Sequence, residues 1–246
     1  MEQETSKKRS KKGIVAAVLA CCLVVGGVAG VLAWLTATDD ATNTFTVGNF
    51  STPEKEPDPD NPKIPDQDGV TTPDGYLTET EWVDGSKLLP GEDNAVAKNP
   101  NVGIGPDSDS AYVFVYVENK TQGTGEVATN APVFSLENGW GPVAGAVDMS
   151  TAESGKYTGG LFVYGTESAP GVLTANAYTG EVFSSVYAPT NADLTKYTDN
   201  PQMIVHAYIY AQKAGATEGD DGSATAAVKA AKQWVTDEGW ATLVTP

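Results

Sequence analysis

The sequence predicts an all-β fold, a jelly-roll-like antiparallel β-sandwich with one short C-terminal helix, preceded by an N-terminal signal or transmembrane helix. Three observations carry this expectation. Ala111–Val117 and Gln202–Gln212 read as strong strands, and shorter strand candidates separated by turn residues fill the chain between them. After residue 35 only Ser223–Glu238 has helical spacing. Near the start, a basic cluster is followed by 23 residues without a charge, Gly13–Leu35.

That charge-free run is about the ~20 residues a membrane-crossing helix needs, so an anchor is one reading. A cleaved signal peptide over residues 1–33 is the favoured one. Gly26, Gly27 and Gly30 weaken the helix just before small residues of A-x-A character, as at signal peptidase sites. Cleavage would follow Ala33, with Val31 at the −3 position and Trp34 opening the mature chain, or would follow Ala37. Lys7, Lys8, Arg9, Lys11 and Lys12 hold the N-terminus in the cytoplasm and send the downstream chain outward. A lipobox ending at Cys21 is a third reading, disfavoured because the apolar run continues past it. No Leu-Pro-x-Thr-Gly motif offers covalent attachment to a cell wall.

Residues 34–50 are expected to hold the first strand of the mature chain. Within Thr42–Phe50, Phe45 and Val47 share one face and Thr44 and Thr46 the other. Residues 51–75 carry six prolines, many acids and almost no large apolar side chain, the composition of a solvated linker or long loop. Asp58, Asp60, Asp66 and Asp68 invite a calcium reading, but the prolines spoil the required loop and Gly69 misses its turn position. Residues 76–246 would then form the sandwich domain. Tyr76–Val83 alternates weakly, and Pro90-Gly91 and Asn99-Pro100 are turn signals. In Ala111–Val117 the valines Val113, Val115 and Val117 share one face and Tyr112, Phe114 and Tyr116 the other, which predicts a central strand covered on both sides.

Short strands are expected near 132–136, 160–164, 171–176 and 181–187. Gln202–Gln212 places Ile204, His206, Tyr208 and Tyr210 on one face and is expected beside Ala111–Val117. The helix 223–238 has Ser223 as N-cap, Val228, Ala231 and Val235 at spacings of three and four, and Gly239 as its stop. Trp234 is expected to pack it on the sandwich.

Charge and composition exclude several functions. The chain has 15 basic and 32 acidic residues, and removal of 1–33 leaves ten against thirty, a net −20. Such a surface repels nucleic acid and anionic lipid, and any self-association would strengthen with salt. Cys21 and Cys22 lie inside the apolar run, so the mature part has neither disulfide nor thiol chemistry. His206 is the single histidine, so no HExxH zinc pair exists, and no G-x-S-x-G elbow occurs. No catalytic residue, metal ligand or cofactor site is assigned.

Two blocks carry a family resemblance. LTATDDATNTFTVGN directly follows the apolar helix, and LLPGE, KNPNV and SAYVFVYV come one after another in the domain, with Trp82 ahead of them. Together with the final strand and Ala-rich helix they resemble the TasA/camelysin group, proteins exported through a SipW-type signal peptidase. The resemblance implies a secreted bacterial surface or biofilm-matrix protein that self-associates into fibres. It implies strand donation by the freed N-terminal segment, with Phe45 and Val47 filling pockets in the next subunit and Thr44 and Thr46 on the opposite face. It implies membrane contact only through the N-terminal segment before cleavage. The alternative is an anchored or secreted adhesion module with variable loops over 121–197, for which Tyr157, Tyr164, Tyr178 and Tyr187 are natural contacts, although core or scattered surface positions are the favoured use of these tyrosines; an enzyme such as a metallopeptidase is disfavoured.

Overall fold

Two neighbouring strands with apolar side chains on both faces need cover on both sides, and the rest of the molecule supplies it. The computed structural model describes residues 49–68, 72–73, 75–83, 86–120, 130–197 and 201–240, and the backbone of 36–39. Its strands are β1 (Thr36–Asp39), β2 (Leu77–Glu79), β3 (Val96–Ala97), β4 (Pro100–Ile104), β5 (Ala111–Asn119) and β6 (Trp140–Met149). Next come β7 (Tyr157–Thr166), β8 (Ala169–Pro170), β9 (Val172–Leu173), β10 (Ala177–Glu181), β11 (Ser185–Val186) and β12 (Met203–Ala211), and the helix α1 (Ala224–Asp237). All strand pairs are antiparallel. The expected signal helix, with Val31, Ala33 and Trp34, and the donor residues Thr44, Phe45, Thr46 and Val47 lie outside the described residues. Among the described residues no helix is long and apolar enough to cross a membrane.

The large sheet runs β1-β12-β5-β7-β6, with β9 also on β5 and β8 on β7. β5 and β12 pair along their whole length, from Met203 opposite Asn119 to Ala211 opposite Ala111. Val113, Val115, Val117, Ala207 and Ile209 face one core, where Val102, Ile104, Val182, Phe183 and Val186 come from a second layer made of β10-β4-β2 and β11-β3. Tyr112, Phe114, Tyr116, Tyr208 and Tyr210 face the other core, roofed by Ala227, Ala231, Trp234 and Val235 of α1. The described residues are therefore mostly antiparallel β with one α-helix, as the residue pattern predicts. Ser223 caps α1 by accepting from the Ala226 N–H at 3.2 Å, and Trp234 stacks on Tyr208 at 5.0 Å.

The described part of residues 51–75 is a long loop, one of the two expected forms, but it is not solvated: 49–68 is a strap docked on the second layer, with Pro53, Pro57 and Pro65 buried. Proline has no N–H to satisfy and its fixed φ lowers the entropy lost on ordering, so such a strap needs only donors aimed at its carbonyls. The protein supplies them. Tyr178 donates its hydroxyl to Lys55 O at 2.8 Å and its N–H to Lys63 O at 2.9 Å, Asn101 Nδ2 donates to Pro62 O at 2.6 Å, and Gly105 N donates to Ser51 O at 2.6 Å. A Cβ at Gly105 would overlap Thr52 O and the Ser51 hydroxyl, and one at Gly103 would overlap the Tyr178 ring.

The first described strand, Thr36–Asp39, falls within the expected 34–50, and residues 42–48 of the expected Thr42–Phe50 lie outside the described residues. Asn49 and Phe50, the described end of that stretch, are in no strand. They lie where Asp109 N donates to Asn49 O. Asn99-Pro100 is no turn, because Pro100 opens β4 and Asn99 is held by side-chain bonds. β6 is absent from the expected strands. Its Gly141, Pro142 and Gly145 hide a ten-residue edge strand that spends five residue steps, Pro142 to Val147, against only two of β7, Phe162 to Gly160.

Replacing Tyr178 with Phe is expected to cost about 1 kcal/mol in urea unfolding, by removing its bond to Lys55 O. Gly105→Ala is expected to undock the strap, seen as new protease cuts between residues 51 and 68 with the rest of the domain still resistant.

Candidate functional site

The two edges of the large sheet are built differently. At β6, Pro142 and the bulge blunt pairing, and Glu167 accepts from the bulged Ala144 N–H at 2.7 Å while holding Lys232 of α1 at 2.8 Å. That edge is closed by its own geometry. At the other side, among the described residues, β1 covers Ala207 to Tyr210 of β12, with Asp39 opposite Ala207 and Thr36 opposite Tyr210.

The phase of the ladder shows what the remaining edge presents. Lys120 N donates to Gln202 O and Gln212 N to Ser110 O, each at 2.8 Å, so even-numbered β12 residues bond β5. The N–H and C=O groups of Met203 and Val205 consequently point the other way. Among the described residues no strand pairs with Met203–Val205 on that side.

Beneath this end, between the two sheet layers, lies an open cleft of about 430 Å³. Trp82, Leu88, Val96, Val186, Met203 and Ile204 give it apolar walls, and Lys98 is its charged group. Trp82 remains 39% exposed, and Val83 and Leu89 nearby are exposed as well. Lys98 is 6% exposed; its Nζ sits 4.9 Å from the Trp82 ring centroid and 2.6 Å from Glu79 Oε1. A buried ammonium paired with a carboxylate and faced by an indole is satisfied and fixes that ring as one wall. Asn99, next to it, donates to Thr80 Oγ1 and Glu181 Oε1 and accepts from Glu81 N. This accounts for the KNPNV string as buried, fully bonded polar groups.

Asn49 is pinned at the opposite end of β12 by Asp109 N to Asn49 O at 2.9 Å and Asn49 Nδ2 to Asp107 O at 3.0 Å. Ten peptide steps from Asp39 to Asn49 span at most roughly 36 Å. Pairing out to Met203 and returning to the level of Asp109 takes about 46 Å at ~3.3 Å per residue. With Asn49 in place, the chain's own segment is too short to cover Met203.

Acidic groups ring the neighbourhood. Burial, then the charges of Glu81 and Glu137, push the Glu181 carboxyl above the usual range against the pull of its Asn99 bond. Elsewhere Glu153 is held below that range, chiefly by the Thr190 N–H and by the Tyr187 and Thr190 hydroxyls. His206 is buried on the helix side of β12, its Nε2 3.3 Å from Glu118 Oε2. Among the described residues no three His, Cys, Asp or Glu converge as metal ligands. Of the four tyrosines weighed as ligand contacts, Tyr178 and Tyr187 take the favoured alternative and are core residues that bond Lys55 O and Glu153. Tyr157 and Tyr164 are half-buried against Phe162 and Trp140.

The residue pattern identifies β12 and Trp82 but not the cleft, whose walls come from six separate stretches. No protein-family model, curated protein or solved structure matches the chain.

Because its carboxyl is raised in the folded state, Glu181 contributes most stability below the ordinary glutamate value of about 4.3, and loses it as pH rises through the folded value. Glu181→Gln keeps the acceptor for Asn99 and removes the charge. It is expected to melt higher than the parent at pH 7, with the advantage shrinking toward pH 4, in thermal scans followed by circular dichroism.

Proposed function

We propose that this protein is an exported structural subunit of the bacterial surface or matrix, of TasA/camelysin type, that associates with copies of itself by strand donation. One observation carries the reading. The sheet has one blunted edge and one edge whose last residues, Met203–Val205, pair with no strand among the described residues and end at an apolar cleft lined by Met203 and Ile204, with Met203 past the reach of a chain held at Asp39 and Asn49. Strand addition there supplies backbone hydrogen bonds, and alternate apolar side chains, Phe45 and Val47 of another copy, enter the cleft. Thr44 and Thr46 then face away.

In this reading residues 1–33 are the export signal, cut between Ala33 and Trp34. A cut after Ala37 would halve β1, whereas one after Ala33 preserves all four paired residues. Before the cut the arm is tethered to the membrane and is withheld from other copies. The jelly-roll-like wrapping belongs to the same reading and is supported by the pairing of the first strand with the last. Function then lies in assembly, with no catalytic group, cofactor or nucleic acid involved. The acidic rim, Glu79, Glu81 and Glu181, makes association of two copies salt-dependent.

Two measurements test this. Mass spectrometry of the exported protein is expected to find Trp34 at its N-terminus; a retained leader would overturn the export half. Met203→Pro removes an outward N–H while leaving the ladder to β5 intact. It is expected to lower fibre or oligomer yield at high salt by at least about tenfold in light scattering, the loss of one edge bond and of the cleft's fit being worth ~1.4 kcal/mol or more. Phe45→Asp blocks donation instead, so mixing the two variants is expected to give short closed pairs only. A parent protein that stays monomeric at high concentration and high salt would sink the proposal.

A further inference from the structure

On the helix side of the sheet, one titratable ring is enclosed by groups that respond differently to its two charge states. His206 is the single histidine of the chain and is 6% exposed. Its ring stacks on the Trp240 indole, centroids 3.9 Å apart and planes 26° from parallel, and its Nε2 lies 3.3 Å from Glu118 Oε2. Trp240 is not part of α1. It follows Gly239, whose φ of 74° ends the helix, and is folded back over the sheet. Its N–H donates to Val235 O at 3.2 Å, its carbonyl accepts from the Tyr116 hydroxyl at 3.3 Å, and its ring also stacks on Tyr116 at 5.1 Å.

We infer that His206 is a pH-sensitive latch for this C-terminal fold-back: with its ring protonated, Glu118 and the indole face grip it from two sides and clamp Trp240 to β12, and loss of the proton loosens that clamp. In neutral imidazole the stacking on Trp240 and the bond toward Glu118 persist without the charge. Imidazolium adds attraction to the negative face of the indole and a charge-assisted bond to the carboxylate.

The surrounding charges favour this polarity. From β5, Glu118 faces the ring directly and Lys120 offsets part of its charge at 3.2 Å. Tyr116 is neutral throughout the relevant range, its hydroxyl pushed up to about 12 by burial and then by Asp148 of β6 and Glu118. On β12 itself Tyr208 is stacked on Trp234. Lys232 of α1 is engaged elsewhere by Glu167. Burial of the ring works against the proton, and the carboxylate at hydrogen-bond distance works for it. The clamp is fullest in acid and fades as pH rises through the histidine range around 6.5. It concerns packing within one copy and is independent of strand exchange.

A single histidine makes the test clean, because the full chain in detergent micelles, labelled in its imidazole carbon, gives one histidine resonance. Its titration midpoint is expected to fall by about one pH unit in Glu118→Gln, and also to fall in Trp240→Phe. Tryptophan fluorescence of the parent is expected to step at the same midpoint, with the indole quenched on the acid side and the step absent in His206→Gln. An unchanged midpoint in Glu118→Gln, or fluorescence flat through the imidazole titration, would overturn the latch. Should Trp240→Phe not fold, checked by circular dichroism, the Glu118→Gln and His206→Gln comparison decides alone.

Discussion

Everything in this molecule answers to the pair β5 and β12, two strands joined over nine residues that are apolar on both faces. A ladder of that kind is unstable in water until each face is covered by a different element. The branched aliphatic face, Val113, Val115, Val117 and Ile209, takes a second sheet layer that meshes with it. The aromatic face, with Tyr112, Tyr116, Tyr208 and Tyr210, takes a helix, because small Ala227 and Ala231 let α1 approach while Trp234 stacks on a ring. The same pairing leaves one side of β12 as an edge, and the arm, the cleft and the His206 enclosure are all located by that edge.

How much of the fold is legible in the chain depends on how local each signal is. β5, β12 and α1 are legible because alternation or helical spacing over nine or more residues is a local property. β6 is not, because an edge strand with a bulge has no stretch in which alternation persists, and Pro142 and Gly145 read as loop. The strap from 49 to 68 is hidden for a different reason. Composition reports the side chains a segment brings, and here the segment brings carbonyls, while the donors Tyr178, Asn101 and Gly105 sit far along the chain.

The candidate site is legible only in its parts. Trp82 and the KNPNV string stand out, but their use as a cleft wall with a Lys98–Glu79 pair depends on β3 and β4 lying beside β12's end, which no local pattern specifies. His206 reads as an ordinary strand histidine. Its enclosure requires Trp240 to fold back after α1, and that in turn requires the left-handed turn at Gly239. Two of the four tyrosines weighed as contacts are held in the core, Tyr178 by the Lys55 carbonyl and Tyr187 by Glu153.

The pinned position of Asn49 turns the segment between it and Asp39 into a yardstick. With its far end fixed by Asp107 and Asp109, the number of residues separating it from the first strand sets how far along β12 a chain can fold onto itself. Insertions there would lengthen the ruler by ~3.5 Å each, and roughly three would already close the ~10 Å shortfall. Under the proposed strand donation, length in this stretch, more than the identity of its side chains, would decide between self-sufficiency and dependence on a neighbour.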